Sequence, residues 1–169
     1  MRTRVNEHEA IARALTGDQH AYERIVRRYQ HMVHTVCLRM LRNTQDAEEA
    51  TQDTFVKAWQ HLEGFGGNAK FSTWLYSIAY RTAISHGRKR RDSGPSMDEL
   101  AHHPPAEHKD ETHRTDIKYH LDLALATLHA EDASILSFFY LEELSVEEIV
   151  TVTGLGASNV KVKLHRGRK

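Results

Sequence analysis

The last 25 residues of the chain carry the pattern that most constrains its fold. Ser145 followed three residues later by Glu148 is a capping box, in which the hydroxyl and the carboxylate each accept a backbone N–H at the start of a helix. Gly154 and Gly156 then supply permissive backbone angles, and a second helix is predicted to begin near Ser158. Two short helices joined by a glycine turn predict a helix-turn-helix.

Acidic and basic residues fall in separate segments of this part of the chain, although the whole sequence has 23 Lys and Arg and 23 Asp and Glu. Residues 131–148 hold six acids and no Lys or Arg, whereas residues 157–169 hold five bases and no acid. Val160 and Leu164 are spaced for packing, so the bases are left on the outer face of the second helix. That arrangement is typical of a recognition helix in the major groove. The alternative is an ordinary helical hairpin with a solvated basic end.

Helical periodicity also runs through the rest of the chain, and no strand pattern competes with it. Predicted helices cover residues 7–16, 18–40, 45–62 and 71–90, and the period resumes at 116. Asp18 and Asn43 are the expected caps of the second and third helices. The positions expected to be buried include Ile11, Ala14, Leu15, Tyr22, Ile25, Val33, Val36, Phe55, Leu75, Leu121, Leu125, Ile135, Leu136, Phe139 and Tyr140.

Between residues 92 and 115 the period fails, and three prolines interrupt the segment. We therefore predict an all-α protein of two small helical domains, residues 1–92 and 115–169, joined by a flexible linker over 93–114. The linker holds His102, His103, His108 and His113, which raises the possibility of metal sensing. Their spacing matches no closed site and no cysteine is near, so we predict a solvated linker, with no metal and no cofactor.

Two surfaces of the first domain have the chemistry of binding sites. Glu49, Gln52 and Asp53 share one helical face, which is either an acidic docking strip or a solvated surface. Farther along, rings alternate with bases up to a cluster at residues 88–91, as single-stranded nucleic acid requires for stacking and phosphate neutralisation. Members of this zone are Phe65, Lys70, Phe71, Trp74, Tyr76, Tyr80 and Arg81, of which Phe71 and Trp74 can equally be core residues.

The cysteine count and the distribution of apolar residues indicate the cellular compartment. Cys37 is the one cysteine, and its apolar neighbours predict a buried thiol in a reducing interior. No apolar run approaches the roughly 18 residues of a membrane span, and the polar start leads into no signal-peptide core. We therefore expect a cytoplasmic protein without membrane insertion. Gly167, near the end of the recognition helix, predicts a frayed terminus at a cost of about 1 kcal/mol.

Segments 46–55 and 71–79 resemble conserved region two of the extracytoplasmic-function sigma factors of bacterial RNA polymerase. Segments 144–149 and 159–166 resemble region four of the same proteins. The resemblance covers nearly the whole chain. It implies a factor that directs the polymerase core to promoters and promotes their opening, for a stress or environmental response and under the control of an anti-sigma factor.

The resemblance also implies roles for individual residues. Asp46, Glu49, Gln52 and Asp53 would dock on the clamp helices of the polymerase β′ subunit, and the β flap is a further polymerase contact. The minus-ten element, including its melted non-template strand, would be held by Phe65, Asn68, Lys70, Trp74, Ile78, Arg81, Arg88 and Arg90. The duplex minus-thirty-five element would be read by Ser158, Asn159, Lys161, Lys163, His165 and Arg166.

Two other classes of protein compete with this interpretation. An enzyme is disfavoured because the sequence shows no catalytic triad pattern or glycine-rich phosphate loop, and its carboxylates lie on faces predicted to be exposed. A one-component helix-turn-helix regulator, with residues 1–92 as a sensor or dimerisation domain, is the second alternative. A regulator of that kind binds duplex operator unaided, whereas a sigma factor needs core polymerase.

Overall fold

The computed structural model describes the backbone of residues 2–93 and 114–168, and the side chains of residues 7–93 and 119–168. Within these ranges the chain is all helical, with eight α-helices, one 3₁₀ turn and no strand. The helices are α1 (Arg2–Leu15), α2 (Gln19–Leu41), α3 (Thr44–Gln60), the 3₁₀ turn (Leu62–Gly64), α4 (Phe71–Asp92), α5 (Arg114–Ala126), α6 (Ala130–Tyr140), α7 (Val146–Thr153) and α8 (Ala157–Gly167).

Helices α1 to α4 form the N-terminal unit, in which α2, α3 and α4 all pack against one another. Two of the predicted caps are confirmed: the Asp18 side chain accepts from Ala21 N–H, and that of Asn43 accepts from Asp46 N–H at 2.9 Å. The apolar stripes of the helices then meet in one core. Its buried members include Ala21, Ile25, Val33, Val36, Cys37, Ala47, Ala50, Phe55, Ala58, Leu75, Ala79 and Ala83.

Helices α6 to α8 form the C-terminal unit, and its helix-turn-helix is built as predicted. Glu148 N–H donates to Ser145 Oγ at 3.1 Å, and Ser145 N–H donates to Glu148 Oε2 at 2.8 Å, so both halves of the capping box are made. Gly154 ends α7 with a positive φ of 75°, the conformation that glycine adopts without strain. Val160 and Leu164 are buried, which fixes the inner face of α8.

The predicted linker lies mostly outside the described residues, because residues 94–113 are not among them. The two units nevertheless touch directly, since α4 packs against α7 and α2 packs against α6. Phe138 of α6 is 1% exposed, and its ring centroid lies 5.3 Å from that of Tyr76 in α4. The N-terminal and C-terminal units therefore share a packed interface.

Three burial predictions were wrong. Leu15 is the last residue of α1 and is exposed. Leu121 is exposed on α5, a helix that makes few contacts with α6. Tyr140 is 50% exposed, with the Arg168 guanidinium 5.5 Å from its ring centroid. Phe138, rather than Tyr140, is the buried ring because α6 is covered on two sides, by its own unit and by the N-terminal unit. Periodicity within one helix cannot report a second covering surface.

Candidate nucleic-acid and polymerase interfaces

The acidic strip lies on the surface of α3, opposite the buried alanines Ala47 and Ala50. Glu49 and Gln52 are exposed. The other two predicted members are paired with α4. Asp53 is exposed, and its Oδ2 lies 2.7 Å from His86 Nε2. Asp46 is partly exposed, and its Oδ2 lies 3.0 Å from Arg90 Nη1. The structure therefore groups the four predicted residues on one helix and ties two of them to its neighbour.

An aromatic cluster stands at the start of α4. The Phe65 ring, on the loop before α4, makes an edge contact with Phe71 at 5.2 Å between centroids and lies 5.4 Å from Trp74. Phe71 is buried, whereas Phe65 and Trp74 are each partly exposed. Phe71 therefore anchors the cluster in the core, and the outer edges of Phe65 and Trp74 remain available for contact.

Four of the predicted minus-ten residues follow one line along α4. Trp74, Ile78, Arg81 and Arg88 recur at spacings that keep them on one helical face. The first two are partly buried and the two arginines are exposed. Rings near bases on a single face suit stacking beside a phosphate backbone. The structure thus brings these four together as a strip that begins at the aromatic cluster.

The other predicted minus-ten residues lie beside that strip or away from it. Asn68 and Lys70 are exposed, on the loop before α4 and at its N-terminal end. Arg90 instead turns toward α3, where it pairs with Asp46 and reaches the carbonyl of Leu41 at 3.5 Å. In this conformation Arg90 joins α4 to the helices behind it.

The outer face of α8 is open in the described structure. Ser158, Asn159, Lys161, His165 and Arg166 are all exposed, while the opposite face packs inward. Because side chains three and four residues apart are neighbours on a helix, these five residues share one face of α8, which also holds the exposed Val162. A surface of this kind is what the major groove accommodates.

Lys163 differs from the other predicted duplex contacts. Its Nζ lies 2.7 Å from Asp132 Oδ1 and 2.9 Å from Glu131 Oε1, both in the first turn of α6. Hydrogen bonds to Asp132 and Glu131 raise the pKa of Lys163 above its ordinary value. Burial of Tyr80, followed by the nearby Glu131 charge, raises the pKa of that phenol to about 12. Lys163 therefore stands in an ion-pair cluster that borders the N-terminal unit.

Sequence reasoning missed the acids that reach α4 from the C-terminal unit. Glu142 accepts a hydrogen bond from Tyr76 Oη at 2.5 Å, and Glu148 Oε1 lies 3.2 Å from Lys70 Nζ. Backbone donation from Ser145 is the main cause of a lowered pKa for Glu148, and the Lys70 ammonium adds to it. The opposite charges of segments 131–148 and 70–91 were the signal, but nothing in the sequence paired these particular residues.

Other features of the described ranges bear on the class of protein. No helix there is long and apolar enough to cross a bilayer. No group of three or more His, Cys, Asp and Glu side chains there could hold a metal ion, and the linker histidines fall outside these ranges. Cys37 is fully buried as predicted, and burial raises the pKa of its thiol, as is usual for structural cysteines.

Comparisons with known proteins agree with this arrangement. The family Sigma-70 region 2 matches residues 25–93, and Sigma-70, region 4 matches residues 120–169. The ECF RNA polymerase sigma factor SigW of Bacillus subtilis is 28% identical over 170 residues, which cover 94% of this chain and 91% of that protein.

Two solved structures share the fold. CnrH in complex with the cytosolic domain of CnrY superposes with a TM-score of 0.67 at 21% identity, over 96% of this chain and 92% of that one. The sigma factor RpoE of Bartonella quintana, in complex with the anti-sigma factor NepR, gives a TM-score of 0.64 at 20% identity, over 87% and 91%.

A helical unit with an acidic strip and a ring-and-base strip, followed by a helix-turn-helix with an open polar face, defines a transcription initiation factor. The chain belongs to the extracytoplasmic-function group of the sigma-70 family, with region two over residues 25–93 and region four over residues 120–169.

Proposed function

We propose that this chain binds the core of RNA polymerase, directs it to specific promoters and promotes their opening. The open polar face of α8, presented by a complete capping box and a glycine turn, is the observation that carries the proposal. The polymerase performs the catalysis, and this chain positions the polymerase on the promoter. The compartment that this function requires is the cytoplasm.

Region two supplies two contacts in this proposal. The exposed Glu49 and Gln52, with Asp46 and Asp53 beside them, dock on the β′ clamp helices, whose basic side chains they complement. The strip of Trp74, Ile78, Arg81 and Arg88, with Phe65, Asn68 and Lys70 at its start, holds the melted non-template strand of the minus-ten element. Stacking on each ring contributes about 1–3 kcal/mol per base, which offsets the cost of separating the strands.

Region four anchors the upstream duplex. Arg166 can form a bidentate contact with guanine, the commonest specific contact in the major groove, while Lys161 and His165 flank it on the same face. The β flap of polymerase holds this unit at the minus-thirty-five element. Since Bartonella RpoE was solved with an anti-sigma factor, we further propose that a protein of that kind restrains this chain until a stress or environmental signal releases it.

Binding to duplex promoter with and without core polymerase separates this function from that of a one-component regulator. We expect the isolated chain to bind duplex weakly, and the chain with core to give sequence-selected, salt-resistant open complexes. Arg166→Ala should weaken selection of the minus-thirty-five sequence by about 1–3 kcal/mol, and Arg168→Ala, an exposed neighbour outside the predicted set, is its matched control. Tight, selective binding of duplex by the chain alone would favour the regulator.

A further inference from the structure

Helix α4 is buried on two sides. One side, which includes Leu75, Ala79 and Ala83, faces the core of the N-terminal unit. The other side, which includes Thr73 and Tyr76, is covered by the C-terminal unit through the packing of α4 on α7. The strip that begins at Trp74 lies between these two covered sides. The face that borders the proposed single-strand site is therefore occupied by another part of the same chain.

The covering contacts join donors on α4 to acids of the C-terminal unit. Tyr76 Oη donates to Glu142 Oε2 at 2.5 Å. Glu148 Oε1 receives two groups at once, the Lys70 ammonium at 3.2 Å and the Thr73 hydroxyl at 3.4 Å. Three adjacent donors, an ammonium and two hydroxyls, thus converge on two carboxylates.

A second set of contacts joins the C-terminal end of α2 to α5, to α6 and to the loop between them. Arg39 Nη2 lies 3.8 Å from Asp122 Oδ1, Arg42 donates to the carbonyl oxygen of Leu128, and Ser134 Oγ lies 2.9 Å from Met40 Sδ. These contacts are mostly polar, as in interfaces between domains that move relative to each other. They surround the buried contact of Phe138 with Tyr76, and salt or a competing charged ligand weakens contacts of this charged kind.

Lysine, threonine and tyrosine side chains are among those that proteins use to bind the phosphates of nucleic acid. In this chain each of the three donors on α4 is satisfied by a carboxylate instead. We propose that Glu142 and Glu148 form a carboxylate latch that closes the free chain by taking the place of strand phosphates on Lys70, Thr73 and Tyr76. This inference rests on the proposed function, because it takes α4 as the surface that holds the melted strand.

The latch is preorganised on the side of the C-terminal unit. Glu148 is already fixed by the capping box, in which its Oε2 accepts from Ser145 N–H while Oε1 faces α4. Closing the chain therefore requires little additional ordering of this side chain. Glu148 thus both caps the start of α7 and contacts Lys70 across the interface between the two units.

Zero-length carbodiimide crosslinking of the free, full-length chain tests closure directly. An isopeptide bond between Lys70 and Glu148, identified by peptide mass spectrometry, is expected because Nζ and Oε1 lie within contact distance. The bond between Lys163 and Asp132, within the C-terminal unit, is the internal control. Tyr76→Phe and Glu142→Gln should each lower the Lys70–Glu148 product about two- to fivefold and leave the Lys163 product unchanged. Equal Lys70–Glu148 yields from the chain and from both variants would overturn the latch.

Binding to a fluorescent pool of randomised single-stranded 20-mers tests what the latch excludes. The Glu142→Gln/Glu148→Gln double variant should bind the pool about two- to fivefold more tightly than the unaltered chain, because more of it is open. Glutamine preserves the capping box, so α7 keeps its start. Glu147→Gln, an exposed neighbour in the same helical turn, is the matched control and should change nothing. Unchanged affinity in the double variant would overturn the phosphate-replacement role.

The crosslinking arm needs neither polymerase nor promoter, so the two proposals can fail separately. A chain that gives the Lys70–Glu148 product but supports no transcription with core polymerase would contradict the proposed function. A chain that supports transcription but gives no such product when free would contradict the latch alone.

Discussion

The Nζ of Lys163, on the recognition helix, lies 2.7 Å from Oδ1 of Asp132, in the first turn of α6. Lys161, two residues earlier on α8, is exposed and makes no such contact among the described residues. Two lysines two residues apart therefore have different surroundings, one tied to its own unit and one open to a ligand. Both remain predicted contacts of duplex DNA, and DNA must compete with Asp132 and Glu131 for Lys163.

Alanine at each of these lysines should separate the two situations. Lys161→Ala should leave the thermal midpoint unchanged and reduce the slope of log affinity against log salt by about one, since one phosphate contact is lost. Lys163→Ala should lower the free energy of unfolding by up to about 1 kcal/mol, the usual range for a partly exposed ion pair. Thermal unfolding and salt titration of binding in the polymerase complex measure the two effects. Equal destabilisation by both substitutions would contradict this distinction.

Gly167→Ala should destabilise the chain, although alanine is the better helix former by about 1 kcal/mol. A Cβ at this position would lie 3.0 Å from Cγ of the buried Leu136 and closer still to its Cδ1. The glycine therefore lets α8 approach α6, and overpacking there should cost about 1–3 kcal/mol. Gly167 is the last residue of α8 and lies against α6.

A double-mutant cycle with Leu136→Ala checks the cause of that loss. Shortening Leu136 removes the clash, so the combined variant should be less destabilised than the sum of the two single changes. Denaturant unfolding of the four proteins measures the coupling. Strict additivity would show that Gly167 acts through something other than contact with Leu136.

Glu49→Lys should weaken binding to core polymerase at least tenfold, because it places a like charge against the basic clamp surface in the proposed complex. Glu49 is exposed and makes no ion pair among the described residues, so the fold should be unchanged. Glu9→Lys, an exposed acid on α1, is the charge-matched control. Competition for core against a labelled second sigma factor gives the affinities, and equal losses for both variants would count against a local docking strip.

Acid should open the latch within a defined range of pH. The pKa of Glu148 is lowered from its ordinary value of 4.5, first by the Ser145 N–H and also by Lys70. The Ser145 N–H also holds this pKa down when the units separate, so only the Lys70 part of the lowering stabilises closure; that part is present while Glu148 is ionised and is lost as the pH falls through the lowered pKa. We therefore expect the Lys70–Glu148 separation to increase as the pH falls through the lowered pKa of Glu148, below 4.5, and paramagnetic distance measurement between spin labels on the two units would report it. In Glu148→Gln the open form should already be more populated at neutral pH and should change less on acidification, and a separation independent of pH in both proteins would contradict this sign.

The parts of the fold that could be predicted are those specified by residues close together in sequence. Asp18, Asn43 and the Ser145–Glu148 box act within one helical turn, so their sequence spacing already specifies the geometry. The open face of α8 follows in the same way, since Val160 and Leu164 define the buried side.

The contact between the two units could not be predicted, because its partners are distant in sequence and share no period. Tyr76 and Glu142 are 66 residues apart, and Thr73 and Glu148 are 75 residues apart. Phe138 was missed for the same reason, because only the neighbouring unit makes it the buried ring of α6. The acidic and basic blocks predicted two kinds of external partner, the polymerase for the acids and nucleic acid for the bases. The structure pairs parts of these blocks with each other.

Run-off transcription with purified core polymerase, on a library of templates with randomised upstream sequence, tests the central claim most directly. The account predicts that adding this chain yields transcripts from a subset of templates that share two upstream elements, and that core alone does not. Sequencing of the transcribed templates would identify both elements. Failure of the chain to assemble with core, or transcripts without any shared element, would contradict the account.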